Sequence, residues 1–137
     1  MLLKELMLVA SMLLGISVIV FAAVVDVELK GPIPKVINFD PTVTEYVRLL
    51  GGAPETVTMR SGLVVLKPGE SVGTHNTDNY EEVLVVLEGI GIMTITDGPK
   101  LSLTTTTMAY CPSRTEHNVT NTGDGILRYI YIVANTM

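Results

Sequence analysis

From residue 57 to its end, the chain consists of short β-favouring runs separated by turn residues. This spacing limits its fold more than any other feature. Threonine, valine and isoleucine dominate the runs, and glycine, proline and asparagine separate them. Strands at intervals of about 8–12 residues with such punctuation indicate a β-sandwich or β-barrel. We therefore predict an all-β fold whose strands occupy residues 63–67, 83–87, 92–96, 104–111, 118–120 and 126–133.

The stretch before the first run has a different pattern. We predict an extended arm over residues 26–40 and one short helix over residues 41–50. Asp40 would cap this helix, Pro41 would take its first position, and a pair of glycines would end it. No long helical period appears after residue 55.

An uncharged stretch of twenty residues, 6–25, precedes the arm. As a helix it would span about 30 Å, the thickness of a bilayer's hydrocarbon core. Three interpretations of this stretch are open. It is a cleaved signal peptide, an uncleaved membrane anchor, or a buried helix or swapped strand of a soluble oligomer. We expect an exported protein or one tethered to a membrane through residues 6–25, with a cytoplasmic protein as the alternative.

The composition narrows the classes of protein further. The 137 residues are about the size of one domain, which we divide into a hydrophobic segment (1–25), an arm with a short helix (26–56) and a barrel (57–137). A net charge of −5 with nine Lys and Arg excludes the basic surface that nucleic-acid binding requires. The single cysteine, Cys111, excludes an internal disulfide framework and a cysteine-rich zinc site.

One of the two histidines lies in a stretch with a distinctive spacing. Five residues separate Gly69 from His75, and six separate Glu82 from Gly89. This stretch resembles the first motif of the cupin superfamily, which reads Gly, five residues, His-x-His, three or four residues, Glu, six residues, Gly. Thr77 stands where that motif has its second histidine.

The other histidine lies in a stretch that resembles the second cupin motif. Pro112, His117 and Asn121 match its proline, histidine and asparagine, whereas Thr106 and Arg114 stand where the motif has glycines. The resemblance extends over about the whole β-rich region. It implies a small antiparallel β-barrel of the jelly-roll type.

The resemblance also implies that His75, Glu82 and His117 bind a divalent metal ion, with iron, manganese, nickel and zinc as the candidates. Side chains alternate along a strand, so that inward-facing residues of different strands meet in the lumen. Imidazole and carboxylate groups are suitable donors for such metals. If Glu82 faces inward, Leu84 and Val86 also do and form an apolar wall.

Thr77 is the departure from the family that matters most. Two histidines and one glutamate make the 2-His-1-carboxylate set of an iron site, or a zinc site with an open position. We interpret Thr77 as holding a water at the metal or leaving room for substrate. The alternative is a degenerate barrel without metal, whose two histidines are hydrogen-bonded polar groups of the lumen.

Other polar residues have candidate roles that are less well defined. Asp78 or Asn79 would supply an oxygen in place of the missing histidine, and Glu81 is expected to face solvent. Three residues would bind an anionic substrate group if they faced the lumen: Arg60, Tyr110 and Arg128.

Two classes of function follow. The first is a metal-dependent enzyme, an oxygenase or an isomerase, that acts on a small polar molecule. The second is a non-catalytic binding or sensor module, whether it holds metal or not, and the fold alone does not choose between them. In both cases we expect a small-molecule ligand. We also expect a homodimer, because a barrel of this size leaves sheet edges and an apolar outer face to be covered.

Overall fold

A computed structural model describes residues 31–137 and contains eight β-strands. The predicted hydrophobic segment, residues 1–25, and the first residues of the arm lie outside the described residues. The strands are β1 (Val47–Gly51), β2 (Arg60–Leu66), β3 (Tyr80–Glu88), β4 (Ile90–Ile95), β5 (Lys100–Thr104), β6 (Met108–Cys111), β7 (His117–Asn121) and β8 (Leu127–Asn135).

The strands form two antiparallel sheets that enclose the core. One sheet has the order β1-β2-β8-β3-β6 and the other the order β5-β4-β7. The predicted all-β antiparallel fold is confirmed, and residues 31–137 contain no helix capable of crossing a membrane. The largest fully buried aliphatic side chains come from both sheets, and they are Leu63, Leu84, Met93, Leu103 and Leu127.

Strand β3 shows how the sequence pattern positions residues inside the barrel. Glu82, Leu84 and Val86 are buried along one face, whereas Val83 and Val85 on the other face are only partly buried. The predicted alternation is confirmed. It places the acidic side chain and its two aliphatic neighbours on the inner side of the sheet.

The prediction of a helix over residues 41–50 is wrong, because that stretch contains strand β1. Asp40 does act as a local cap, but it closes a turn: its carboxylate accepts hydrogen bonds from the backbone and the hydroxyl of Thr42, at 2.8 and 2.6 Å. A ten-residue helix gains little stability by itself. Strand β1 instead hydrogen-bonds along β2, from Val47 opposite Leu63 to Gly51 opposite Arg60.

The four consecutive threonines, 104–107, were predicted to belong to one strand with residues 108–111, and this is also wrong. Thr104 ends β5, and the other three form the turn between β5 and β6. Thr106 has a φ of 70°, and the Thr107 hydroxyl donates to the Thr104 carbonyl at 2.6 Å. Hydroxyl side chains that hydrogen-bond to nearby backbone favour turns, and this local preference outweighs the β-propensity of threonine.

The turn between β3 and β4 requires a glycine, and we predict that Gly89→Ala strongly destabilises the protein. Gly89 has a φ of 90°, and an added Cβ would lie 2.2 Å from the Ile126 carbonyl oxygen. Backbone strain and overpacking together are expected to lower the free energy of unfolding by about 2–5 kcal/mol. Urea denaturation measures the loss. Gly125→Ala is the control, because no atom lies within 4 Å of its added Cβ, and equal losses would contradict the prediction.

Candidate metal centre

Glu82 and His117 face each other between the two sheets. Glu82 lies on β3 and is 6% exposed, whereas His117 begins β7 and is 1% exposed. The imidazole Nε2 of His117 lies 2.9 Å from a carboxylate oxygen of Glu82. The pair therefore connects the five-stranded sheet to the three-stranded sheet.

The protonation of the other ring nitrogen of His117, Nδ1, determines whether the contact between Nε2 and Glu82 is attractive. Its Nδ1 lies 2.9 Å from the Thr115 carbonyl oxygen, which only accepts hydrogen bonds, so Nδ1 carries a proton. In a neutral imidazole, Nε2 then presents a lone pair toward the Glu82 carboxylate. Two lone pairs at this distance repel each other, and a proton or a metal ion between them is needed for attraction.

The pKa of His117 reflects this arrangement. Burial by itself lowers the pKa, but the hydrogen bond to Glu82, the Thr115 carbonyl and the charge of Glu82 together raise it above its ordinary value. Without metal, the raised pKa favours an imidazolium paired with the carboxylate. A metal ion at Nε2 must displace that proton.

The thiol of Cys111 lies on the opposite side of the His117 ring. Its Sγ is 3.3 Å from Nδ1, and the cysteine is fully buried. Burial and the charge of Glu82 raise the pKa of the thiol to about 11. The neutral thiol therefore packs against the Nδ1 side of the ring and is not positioned to bind a metal at Nε2.

His75 reaches the same position from the loop between β2 and β3. Its backbone forms an antiparallel bridge with His117, in which each N–H donates to the other's carbonyl at 2.9 Å. The Nδ1 of His75 lies 2.9 Å from the Gly73 carbonyl oxygen and is therefore the protonated nitrogen. Its Nε2 therefore keeps a lone pair that is available to a metal ion. The centroids of the His75 and His117 rings are 4.4 Å apart.

The donor set formed by His75, Glu82 and His117 fits a divalent metal. One donor atom from each residue lies within 4.8 Å of the other two. Adjacent donors about 2.1 Å from an octahedral metal lie about 3 Å apart, close to the separation of His117 Nε2 and Glu82. Both imidazoles have their Nδ1–H tied to backbone carbonyls, which is the support that metal-binding histidines usually have.

Thr77 lines the same cavity, but its hydroxyl is partly engaged. It donates to the Tyr80 carbonyl at 2.7 Å, and its oxygen keeps lone pairs for a further partner. The cavity has a volume of about 250 Å³. Its other lining residues are Arg60, Val64, Val72, Val119, Tyr129, Tyr131 and Val133.

The remaining candidate residues have different locations. Asn79 does not replace the missing histidine, because its side-chain oxygen accepts two hydrogen bonds from Arg114. Tyr110 is exposed and donates to Glu81 at 3.1 Å, which places both outside the lumen. Arg128 pairs with Glu88. Of the three residues proposed for an anion, only Arg60 lines the cavity.

Asn121, the last residue of the second motif, has a structural role. Its side-chain amide donates to the carbonyls of Leu66 and Gly125 at 2.9 and 2.8 Å, and its oxygen accepts from the Gly123 backbone. These bonds hold the turn after β7 against the end of β2. A buried side chain that is fully hydrogen-bonded in this way is not available to a ligand.

Sequence reasoning missed Tyr129 and Tyr131, which line the cavity from β8. Burial raises the pKa of Tyr129, so its hydroxyl stays protonated. The alternation of residues 127–133 contained the signal, but nothing in it showed which face is inward. The pairing of β8 between β2 and β3 decides that question.

The comparison with protein families agrees with this geometry. A family model described as "Cupin domain" matches residues 62–133, which is more than half of the chain. The protein is a cupin. No curated protein sequence shows a significant match to this cupin.

Solved structures support the same fold. This cupin is 24% identical to a protein from Bacillus halodurans, with a TM-score of 0.66, and covers 78% of its own chain and 85% of that one. For a cupin family protein of Methanocaldococcus jannaschii, the identity is 22%, the TM-score 0.63, and the coverage 77% and 94%. The Cnp3 cupin domain of Schizosaccharomyces pombe is 16% identical, with a TM-score of 0.59; the match covers 66% of this chain and 63% of that domain. At these identities, the likeness concerns the fold.

Proposed function

We propose that this cupin binds a divalent metal ion through His75, Glu82 and His117 and that a small polar molecule binds, or reacts, beside that ion. The observation that carries the proposal is the buried contact between Nε2 of His117 and the Glu82 carboxylate. With Nδ1 committed to a carbonyl, this contact requires either a proton or a metal ion between Nε2 and the carboxylate. His75 contributes the third donor to the same point.

The protein residues have separate tasks in this proposal. Glu82 supplies the negative charge, and the backbone bridge between His75 and His117 fixes the spacing of the two imidazoles. Leu84 and Val86 lie on the same face of β3 as Glu82 and keep the inner part of the barrel apolar. A bound iron would suit dioxygenation, and manganese, nickel or zinc would suit isomerisation or hydrolysis.

A second candidate is a binding module without metal. It is favoured by the raised pKa of His117, because an imidazolium hydrogen-bonded to Glu82 satisfies the same contact. In this candidate the lumen binds a small molecule through polar side chains alone. Metal analysis separates the two.

The test is elemental analysis of the purified full-length protein, followed by titration of chelator-treated protein with iron, manganese, nickel, copper and zinc in turn. We expect about one metal per chain, because three donors converge on one point. Binding should strengthen as pH rises through the raised pKa of His117, since the metal then no longer displaces a proton. A chain that contains no metal and acquires none supports the second candidate.

We also propose that the protein forms a homodimer and is exported or membrane-anchored through residues 6–25. Strand β6 is an edge of the five-stranded sheet, and it exposes Met108 and Tyr110 to solvent. Such an edge favours pairing with a second copy. We expect a chain that begins at Asp26 to be soluble and dimeric by light scattering at micromolar concentration. A monomer would contradict the dimer. If the chain that begins at Asp26 aggregates while the full-length chain is soluble without detergent, the N-terminal segment is part of the fold.

A further inference from the structure

Arg60 is a cation at the cavity without a carboxylate partner among residues 31–137. No salt bridge in this part of the chain involves it. Its guanidinium carbon lies 4.3 Å from the centroid of the Tyr80 ring, and its Cγ packs beside Gly52. Arg60 is exposed at the mouth of the cavity, and these contacts restrain its side chain while its hydrogen-bond donors stay accessible to a ligand.

The strand register relates Arg60 to the candidate metal ligands. Arg60 on β2 is paired with Val133 on β8, and Val133 is paired with Glu82 on β3. The three residues form one row across the sheet, and all three line the cavity. Neighbouring strands lie about 4.8 Å apart, so the backbones of Arg60 and Glu82 are separated by about 10 Å. A small molecule can therefore span the space between their side chains.

Tyr129 places a second polar group on the wall of the same cavity. The residue is 2% exposed and lines the cavity, yet within the described part of the chain its hydroxyl makes no hydrogen bond. The neighbouring Tyr131 differs, because its hydroxyl lies 3.0 Å from that of Tyr46. The Tyr129 hydroxyl is therefore free to hydrogen-bond to an oxygen of a ligand in the cavity.

Charge and volume narrow the chemistry of that ligand. A divalent ion, the Glu82 carboxylate and the Arg60 guanidinium together carry a net charge of about +2 by the usual ionisation states. This positive site lies within a chain of net charge −5. The cavity of about 250 Å³ is smaller than the roughly 300–1,000 Å³ of most ligand pockets, and its aliphatic walls are Val64, Val72, Val119 and Val133.

We infer that the ligand is a small aliphatic carboxylate with a second oxygen donor. Its carboxylate pairs with Arg60, and its second oxygen lies toward the metal ligands and Tyr129. The guanidinium fork matches a carboxylate in two parallel hydrogen bonds, and the valines accommodate the aliphatic part. This inference rests on the proposed metal site, because the ion supplies most of the positive charge.

The test measures binding of three probes to full-length protein loaded with zinc, which is redox-inert. The probes are 3-hydroxybutyrate, its uncharged amide and inorganic phosphate, and calorimetry gives the affinities. We expect the carboxylate to bind about tenfold tighter than the amide and tighter than phosphate, because a charge-assisted pair is lost with the amide. Elemental analysis of each protein records its metal content separately.

Three variants assign the binding to residues. Arg60→Gln should weaken binding of 3-hydroxybutyrate about tenfold and remove its advantage over the amide. Tyr129→Phe should weaken binding of 3-hydroxybutyrate and of the amide alike, by several-fold. Arg48→Gln is the matched control, because it removes the same charge from an exposed position on strand β1 that does not line the cavity, and it should leave binding unchanged. Metal content should stay that of the wild type in all three, and thermal unfolding confirms that each is folded.

The outcomes distinguish a failure of the carboxylate-binding inference from a failure of the proposed metal site. If the wild type holds zinc but binds carboxylate and amide equally, or if Arg48→Gln weakens binding as much as Arg60→Gln, the carboxylate site is wrong and the metal site remains. Phosphate that binds more tightly than 3-hydroxybutyrate assigns the site to an inorganic oxyanion and also overturns the inference. A wild type that binds no metal overturns the proposed function and this inference with it.

Discussion

Replacing Glu82 with alanine is expected to abolish metal binding, whereas replacing its neighbour Glu81 is expected to leave it unchanged. The two carboxylates are adjacent on β3 but lie on opposite faces, and only Glu82 contacts His117. Loss of a residue that merely supports a metal ligand typically weakens binding 10–100-fold, so loss of a ligand should cost on the order of a hundredfold or more. Elemental analysis and competition with a fluorescent chelator measure the change.

His75→Ala and His117→Ala should show the same loss, because each leaves only two donors. Their stabilities are expected to differ. His117 is buried against Glu82, so its removal leaves a buried carboxylate without a partner, whereas His75 is exposed. Metal content therefore has to be compared with thermal unfolding for each variant. If His117→Ala binds metal as tightly as the wild type does, the site is elsewhere or absent.

Thr77→His is expected to have the opposite effect and to tighten metal binding. Thr77 lines the cavity with the three candidate ligands, at the position where the cupin motif has a second histidine. A further imidazole in that position adds a nitrogen donor and should raise the affinity on the order of tenfold or more. It should also fill the open position and reduce any turnover that needs substrate at the metal.

Two control variants isolate this effect. Thr94→His places an imidazole on β4 beside Met93, whose side chain faces the core, so that the new ring lies on the outer face and should not change metal affinity. Thr77→Val removes the hydrogen bond to the Tyr80 carbonyl and should lower the free energy of unfolding by about 1 kcal/mol without adding a donor. Equal affinities of Thr77→His and Thr94→His would contradict the prediction.

Local signals made much of the fold predictable. The alternation along residues 82–87 and the turn glycines around them define strand β3, because both depend on neighbouring positions. The motif spacing also brought His75, Glu82 and His117 into one group, which the structure places together.

Features that depend on distant pairing were not predictable in this way. The prediction of a helix in place of strand β1 rested on local capping signals, whereas the strand pairs with residues of β2 that lie 9 to 16 positions further along the chain. The position of the exposed Arg60 beside the cavity likewise follows from its pairing with Val133, which lies near the other end of the chain. Tyr129 could not be assigned to the lumen without that same pairing of β8. Period-two alternation identifies the two faces of a strand but does not say which one is buried.

The contact between His117 and Glu82 joins the two sheets, and this has a consequence for the lifetime of the protein. A metal ion held there would act as a cross-link between β7 and β3, much as a disulfide does. Ion concentrations a hundredfold above the dissociation constant would add about 2.7 kcal/mol to the free energy of unfolding. Proteases that attack transiently opened chains would then degrade the metal-free form first. The supply of metal to the compartment would thereby control how much of the protein persists.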